Sequence, residues 1–360
     1  MLSPAGSAKA RVGSGVREEP LRVNRAAKDL GSLSRWQKEC GFRRNNLSVS
    51  KAKTKRQRPS VSIVGPGRLG QALAIALRLS GYPILAFVAR RPTEARKAVR
   101  TFNRSGEPAL TLGLDQLAQL PATGLVLITT PDDAIAETAQ RLAATETGKA
   151  GRRTVLHTSG ALASDVLSPL AKSGFHTGSL HPLVSVSEPG RGAKALRGAF
   201  YCLEGDKTAL RTARSIVKDL EGKSFSIRPE NKALYHAAAV MASPHLVALF
   251  DLATEMLAAC GISKKSARLV LLPLVESTVN NLMVMNPEQA LTGTFARGDI
   301  ATVRRHIDAM CRKQLVEAWE VYKLLGLHSV QLAKKNGLDA ELLERIRKAL
   351  ESADVRKKYS

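Results

Sequence analysis

Three features of the sequence predict an α/β doubly wound sheet followed by an all-helical C-terminal domain. Short apolar runs alternate with helical periods between residues 61 and 228, a glycine-rich turn joins the first run to the first helix, and long segments at helical spacing follow Pro229. In order, VSIVG at 61–65 reads as a strand, PGRLG as the turn, and QALAIALRLSG as a helix that Gly81 can close. ILAFVA at 84–89 is the second strand, and a mixed helical stretch is expected over 93–120. GLVLITT at 124–130 is continuously apolar, as a parallel strand buried on both faces should be. A helix over 132–144 leads to the strand TVLHTS at 154–159. GSLHPL (178–183), AFYCLEG (199–205) and KSFSIR (223–228) read as later strands around a helix at 207–221. Beyond Pro229, apolar residues recur at helical spacing over 231–259, 263–284, 300–325 and 339–349, with hardly a strand signal. The expected organisation is a basic extension over 1–58, a nucleotide-binding domain over 59–228, a helical domain over 229–352 and a tail over 353–360.

The chain of 360 residues carries a formal charge of +24, of which residues 1–58 supply +11. That extension shows no sustained period and is expected to be disordered. It reads as a solvated segment, its alternative use being to hold nucleic acid or a membrane surface. No nucleic-acid partner is expected elsewhere. An organelle transit peptide fits less well, because Glu18 and Glu19 interrupt it. Cys40, Cys202, Cys260 and Cys311 are widely spaced without a metal-ligand pattern, which argues against a disulfide scaffold or a zinc site. No apolar run is expected to reach the roughly 18–20 uncharged residues that span a bilayer, and no signal-peptide segment opens the chain. A soluble cytoplasmic protein is expected.

Gly65-Pro66-Gly67-Arg68-Leu69-Gly70 satisfies G-x-G-x-x-G between a strand and a helix. The first glycine permits the tight turn, the second lets the backbone approach a pyrophosphate, and the third allows close helix–strand packing. This context points to a Rossmann-type dinucleotide site. Where an NAD-binding chain usually places a carboxylate for the ribose hydroxyl, this one reads Ala89-Arg90-Arg91-Pro92. Two guanidiniums suit a 2′-phosphate, so NADP(H) is the expected cofactor. At the end of the strand over 124–130, Thr130 and Pro131 are expected to line the nicotinamide half, and Asp132 to cap the helix that follows.

His157 and His181 fall at candidate strand ends, and Ser159 follows in the turn HTSG. Imidazole moves protons near neutral pH, the partner step of hydride transfer at a carbonyl, imine or alcohol. Lys232 and His236 lie one turn apart on one helix face near the domain junction, with His245 further along. Arg297 and Asp299 sit in the loop LTGTFARGD, which reads either as an anion clamp or as a helix-connecting turn capped by Asp299.

Together IVGPGRLG, VLHTSGAL, GSLHPL, KALYHAAAVMAS and the ALTG and FARGD pieces resemble the Rossmann-like and DUF2520 domain-containing proteins. That family is similar to the group of 6-phosphogluconate dehydrogenase, pyrroline-5-carboxylate reductase and prephenate dehydrogenase. The resemblance implies an all-α C-terminal domain like that of 6-phosphogluconate dehydrogenase and a homodimer formed through it. The His-Pro motif of prephenate dehydrogenases, which supplies their catalytic histidine, corresponds to His181, and Ser159 is the nearest match to their serine turn. Where family members usually continue Ser-Asn-Tyr after the YHAAAV helix, this chain has Ser243-Pro244-His245. The function so implied is an NADP(H)-dependent oxidoreductase acting on a small, anionic metabolite, with His181 as proton donor or acceptor and Ser159 and Lys232 positioning substrate. Two alternatives stand beside it: a non-catalytic NADP(H)-binding sensor or interaction module, and an oxidative decarboxylase of a prephenate-like acid.

Overall fold

The computed structural model describes residues 58–102, 109–145 and 153–353. Apart from Arg58 and Ala353, the basic extension and the tail lie outside the described residues. Along the chain, β1 (Val61–Val64) leads to α1 (Arg68–Leu79), β2 (Ile84–Ala89) to α2 (Pro92–Phe102), and β3 (Leu110–Gly113) to β4 (Leu125–Ile128). There follow α3 (Ile135–Thr145), β5 (Thr154–His157), α4 (Ser168–Lys172), β6 (His176–Pro182), α5 (Pro189–Leu196), β7 (Phe200–Gly205), α6 (Lys207–Asp219) and β8 (Lys223–Phe225). The strands form one sheet in the order β3-β2-β1-β4-β5-β6-β7-β8. Neighbours run parallel except β6 and β7, which are antiparallel.

Two-sided burial explains the continuous apolar runs. In β4, Leu125 and Leu127 join the core shared with α1, α5 and α6, while Val126 and Ile128 join the one shared with α3 and α4. Every residue of β1, β4 and β5 is buried. Strand order reverses between β1 and β4, so the loops leaving these strands part and open a crevice at their carboxyl ends.

The sequence reading erred where signals were short. Residues 110–113, expected within a helical stretch, form β3, whose four residues are only half buried and show no readable period. The helix expected over 300–325 is divided at Gln314, which takes a φ of 52°.

After β8 a 3₁₀ turn at Pro229–Asn231 ends the sheet, and helices follow to the end of the described chain. These are α7 (Lys232–Ala242), α8 (Pro244–Ala259), α9 (Lys264–Val284), α10 (Pro287–Ala290), α11 (Gly293–Ala296), α12 (Ile300–Arg312), α13 (Val316–Lys335) and α14 (Ala340–Ser352). The last three enclose Val303, Ile307, Met310, Trp319, Ile346 and Leu350. In contrast, α7, α8 and α9 each bury a single residue, respectively Lys232, Thr254 and Ala267. Leu234, Met241, Val247, Val270, Leu274 and Val284 stand exposed on them.

One expectation about this region is corrected. Pro229–Ala259 is long and apolar enough, by length and composition alone, to cross a membrane. Residues 233–250 contain no Asp, Glu, Lys or Arg, and their polarity comes only from histidines, a tyrosine and a serine. The helix itself breaks at Ser243, where Pro244 opens α8.

Candidate active site

Between Val64 and Arg68 the chain must reverse over three residues. Gly65 does so at a φ of +90°, donating its N–H to the Val88 carbonyl at 2.8 Å. A Cβ at Gly65 would stand 2.6 Å from the Thr130 nitrogen. Gly70 is as crowded, since its Cβ would meet Thr129 Oγ1 at 2.4 Å, and that hydroxyl donates to the Gly65 carbonyl at 2.6 Å. Gly67 differs: it caps α1, and a Cβ there would have its nearest neighbour 4.0 Å away. The first turn of α1 holds no acidic residue, so its N–H groups suit an anion.

This turn borders a cleft of about 1030 Å³, lined among others by Gly67, Arg68, Arg90, Lys97, Thr130 and Pro131. Arg90 and Lys97 make no ion pair among the described residues. Arg91 is engaged elsewhere: its Nε donates to Glu94 Oε1 at 3.0 Å on the exposed surface, and it does not line the cleft. Lys97 was not singled out in the sequence, although its place on the helix after the Arg pair was legible. Leu69 borders the neighbouring small pocket instead.

That pocket, about 260 Å³, shares Thr129 and Thr130 with the cleft and is also lined by Asp132, Ser159, Gly160, His181 and His236. It contains no lysine or arginine in its lining. Two polar atoms at its wall, Thr130 Oγ1 and His236 Nδ1, are buried without a hydrogen-bond partner. Buried polar atoms are nearly always paired, so these two orphans single out Thr130 and His236 among the lining residues. The Thr130 hydroxyl lies where the glycine-turn cleft meets the pocket, and the residues present fit a dinucleotide with its reactive end there.

Strand register builds the pocket floor. Ser179 pairs with His157 on β5 and with Glu204 on β7, and His181 stands opposite Cys202, so these side chains share one face of the sheet. Helix α7 covers them. Lys232, 1% exposed, donates from Nζ to Ser179 Oγ at 2.6 Å and to the Ser159 carbonyl at 3.1 Å. Burial lowers its pKa from the ordinary lysine value. It therefore joins helix to sheet beneath the pocket rather than lining it. The Ser159 hydroxyl donates to Asp132 Oδ2 at 2.7 Å, and Asp132 serves this contact rather than a side-chain cap on the following turn.

The histidines divide by depth. His157 is fully buried below the lining, its Nδ1 accepting from the Ser159 N–H at 3.2 Å while Nε2 has no partner. Burial, then the Lys232 charge, pushes its pKa down to about 3. His181 lines the pocket, and its Nδ1 lies 2.6 Å from the Tyr235 hydroxyl. Burial, with His236 and Lys232 nearby, pushes its pKa down to about 4. Both imidazoles are neutral near pH 7. His236 meets His181 edge to face at 5.6 Å between centroids. His245 and Arg297 are exposed and outside the lining, and Asp299 caps α12 by accepting from the Thr302 N–H.

No curated protein matches the chain. A protein of Thermotoga maritima has 24% identity and a TM-score of 0.61, covering 76% of this chain and 99% of its own. A candidate NADP oxidoreductase of Bacteroides fragilis has 21% identity and a TM-score of 0.59, covering 75% and 96%. A pyrroline-5-carboxylate reductase of Streptococcus pyogenes has 13% identity and a TM-score of 0.50, covering 82% and 98%. These likenesses show a common fold. Residues 46–182 match the family described as Rossmann-like domain, and residues 199–329 match the Domain of unknown function DUF2520. The chain thus carries the two domains in tandem and belongs to the Rossmann-like and DUF2520 domain-containing proteins.

Proposed function

We propose that the chain is an NADP(H)-dependent oxidoreductase acting on a small metabolite whose carbonyl, imine or alcohol carbon sits in the pocket between Thr130, His181 and His236. The observation that carries this is Thr130, which lines both the glycine-turn cleft and the small pocket and whose buried Oγ1 is unpartnered, with His236, likewise holding an unpartnered buried nitrogen, lining the same pocket. The amides around Gly67 and the start of α1 would hold the pyrophosphate, and Arg90 and Lys97 the 2′-phosphate. When bound, the nicotinamide supplies or accepts a hydride. His181 gives or takes the accompanying proton at the pocket wall, and His236 and Thr130 orient the substrate. The Ser159 hydroxyl and Lys232 act from beneath, holding the loop and the helix that place these groups.

The expected anionic substrate is not supported by the lining, whose formal charge comes from Asp132. A prephenate-like acid would set its carboxylates beside that residue with no cation in the lining to meet them, so the decarboxylase reading is not favoured. Titration of the purified chain with NADPH, followed by cofactor fluorescence, is the first test. Absence of binding at high micromolar cofactor would end the proposal. Binding without NADPH consumption on any carbonyl or imine library would instead support the sensor reading.

We also propose that a second copy of the chain covers the outer faces of α7, α8 and α9. Leu234, Met241, Val247, Val270, Leu274 and Val284 leave apolar side chains exposed along all three helices, the kind of surface a partner chain covers. A membrane is the poorer occupant, since Lys232, Tyr235 and His236 commit the first of these helices to the site. Light scattering on the eluted protein tests this, and a monomer at micromolar concentration would refute it.

A further inference from the structure

His181 is held by a residue from the helical region. The Tyr235 hydroxyl on α7 lies 2.6 Å from His181 Nδ1, and the rings meet edge to face at 5.5 Å. On the other side of the ring, a Cβ on Gly160 would come 2.8 Å from Nε2, and Gly160 and His181 both line the small pocket. Nδ1 therefore belongs to the tyrosine and Nε2 to the pocket.

Tyr235 has a second polar neighbour. Cys202 stands directly across from His181 in the antiparallel β6–β7 pair, near the Tyr235 ring. Burial pushes the thiol and the phenol up and the imidazole down, so all three are neutral near pH 7. The bond between phenol and imidazole can be ordered in two ways. Either the phenol donates to Nδ1, or Nδ1 donates to the phenol oxygen. The phenol hydroxyl is a more acidic donor than an imidazole N–H, and an imidazole nitrogen is a stronger acceptor than a phenol oxygen, so the first order wins.

We propose that Tyr235 is a positioning residue that donates to Nδ1 and so fixes His181 as the tautomer carrying its proton on Nε2, an N–H donor facing the oxygen or nitrogen of a carbonyl or imine. The proposal rests on the oxidoreductase reading and adds a direction to it: the resting site donates a hydrogen bond to the oxygen or nitrogen that gains charge as hydride arrives, the proton itself then coming ultimately from solvent.

The test uses the full chain labelled with ¹⁵N-histidine, with and without NADPH, the His181 signals being identified by their loss in His181→Gln. Long-range ¹H–¹⁵N correlations read the tautomer directly. A single Nε2-protonated tautomer is expected between pH 6 and 8, as an order-of-magnitude window about neutrality. Tyr235→Phe keeps the ring and its contact with Phe225, and is expected to replace that pattern by a mixture of tautomers. Cys202→Ala removes only the neighbouring thiol and is expected to retain the single tautomer. An Nδ1-protonated wild type, an unchanged pattern in Tyr235→Phe, or a mixture in Cys202→Ala would each overturn the proposal. Failure of NADPH to bind would strike the oxidoreductase reading alone and leave the tautomer measurement standing.

Discussion

Ser159 donates its hydroxyl proton to Asp132 at 2.7 Å while its oxygen accepts the N–H groups of Ala161 and Leu162 at 3.1 and 3.0 Å. A hydroxyl so occupied orders the loop after β5 and has no proton left for a substrate. Ser159→Ala should lower stability by about 1–2 kcal/mol, because two partly buried amides lose their acceptor. NADPH affinity should hardly change. Urea unfolding beside a cofactor titration separates the two, and an unaltered midpoint would contradict the assignment.

The glycines of the turn should respond differently to the same substitution. Gly67→Ala meets no atom closer than 4.0 Å and should leave thermal stability nearly intact, while NADPH binds about tenfold or more weakly because the added methyl occupies the phosphate approach. Gly70→Ala, with a Cβ 2.4 Å from Thr129 Oγ1, should lose stability as well, by about 1–3 kcal/mol. Equal melting temperatures for the two variants would be the adverse result.

The two arginines after β2 should also part company. Arg90→Ala is expected to weaken NADPH by about ten- to a hundredfold and to leave NADH much less affected, as loss of a charge-assisted phosphate contact requires. Arg91→Ala, already paired with Glu94, should change the preference little. Competition between the two nucleotides measures this.

Stability should fall as the solution becomes acidic. His157 is held neutral down to about pH 3 in the folded chain, whereas an unfolded histidine takes a proton near 6.5. Between those values the unfolded chain binds a proton that the folded chain refuses. The contribution is thus complete above the unfolded value and is lost progressively below it, amounting to about 2 kcal/mol at pH 5. His181 acts in the same sense with its pKa near 4. Denaturant midpoints at neutral and acid pH should show the slope, and His157→Asn should flatten it.

Charge placed on the apolar helices should dissociate the proposed pair of chains. Val247→Asp and Leu274→Asp lie on exposed positions of α8 and α9, so folding should survive. Sedimentation should shift to the monomer. Persistence of a dimer in both variants would locate the interface elsewhere.

What the sequence disclosed follows the range of each physical signal. The glycine turn was legible because its roles are local and sterically strict, and the strands of the inner sheet because two-sided burial leaves unbroken apolar runs. Lys232 and His236 were legible as one helix face, and Tyr235 lies on that same face at the next spacing. Cys202 was not, because only the antiparallel register of β6 and β7 sets it opposite His181, and register across a long connection leaves no local trace. Arg91 was assigned to the cofactor although Glu94, three residues on along a helix, already offered the nearer partner. Ser159 lines the small pocket, yet its bond to Asp132 depends on two loops meeting from separate strands.

Helix α7 turns Lys232, Tyr235 and His236 toward the sheet and Leu234 and Met241 toward solvent. If a twin chain does seat on that outer side, quaternary assembly and imidazole chemistry become two grips on the same short rod. Dilution would then act as an off-switch, and turnover per molecule would rise with protein concentration until every rod is clasped from both sides.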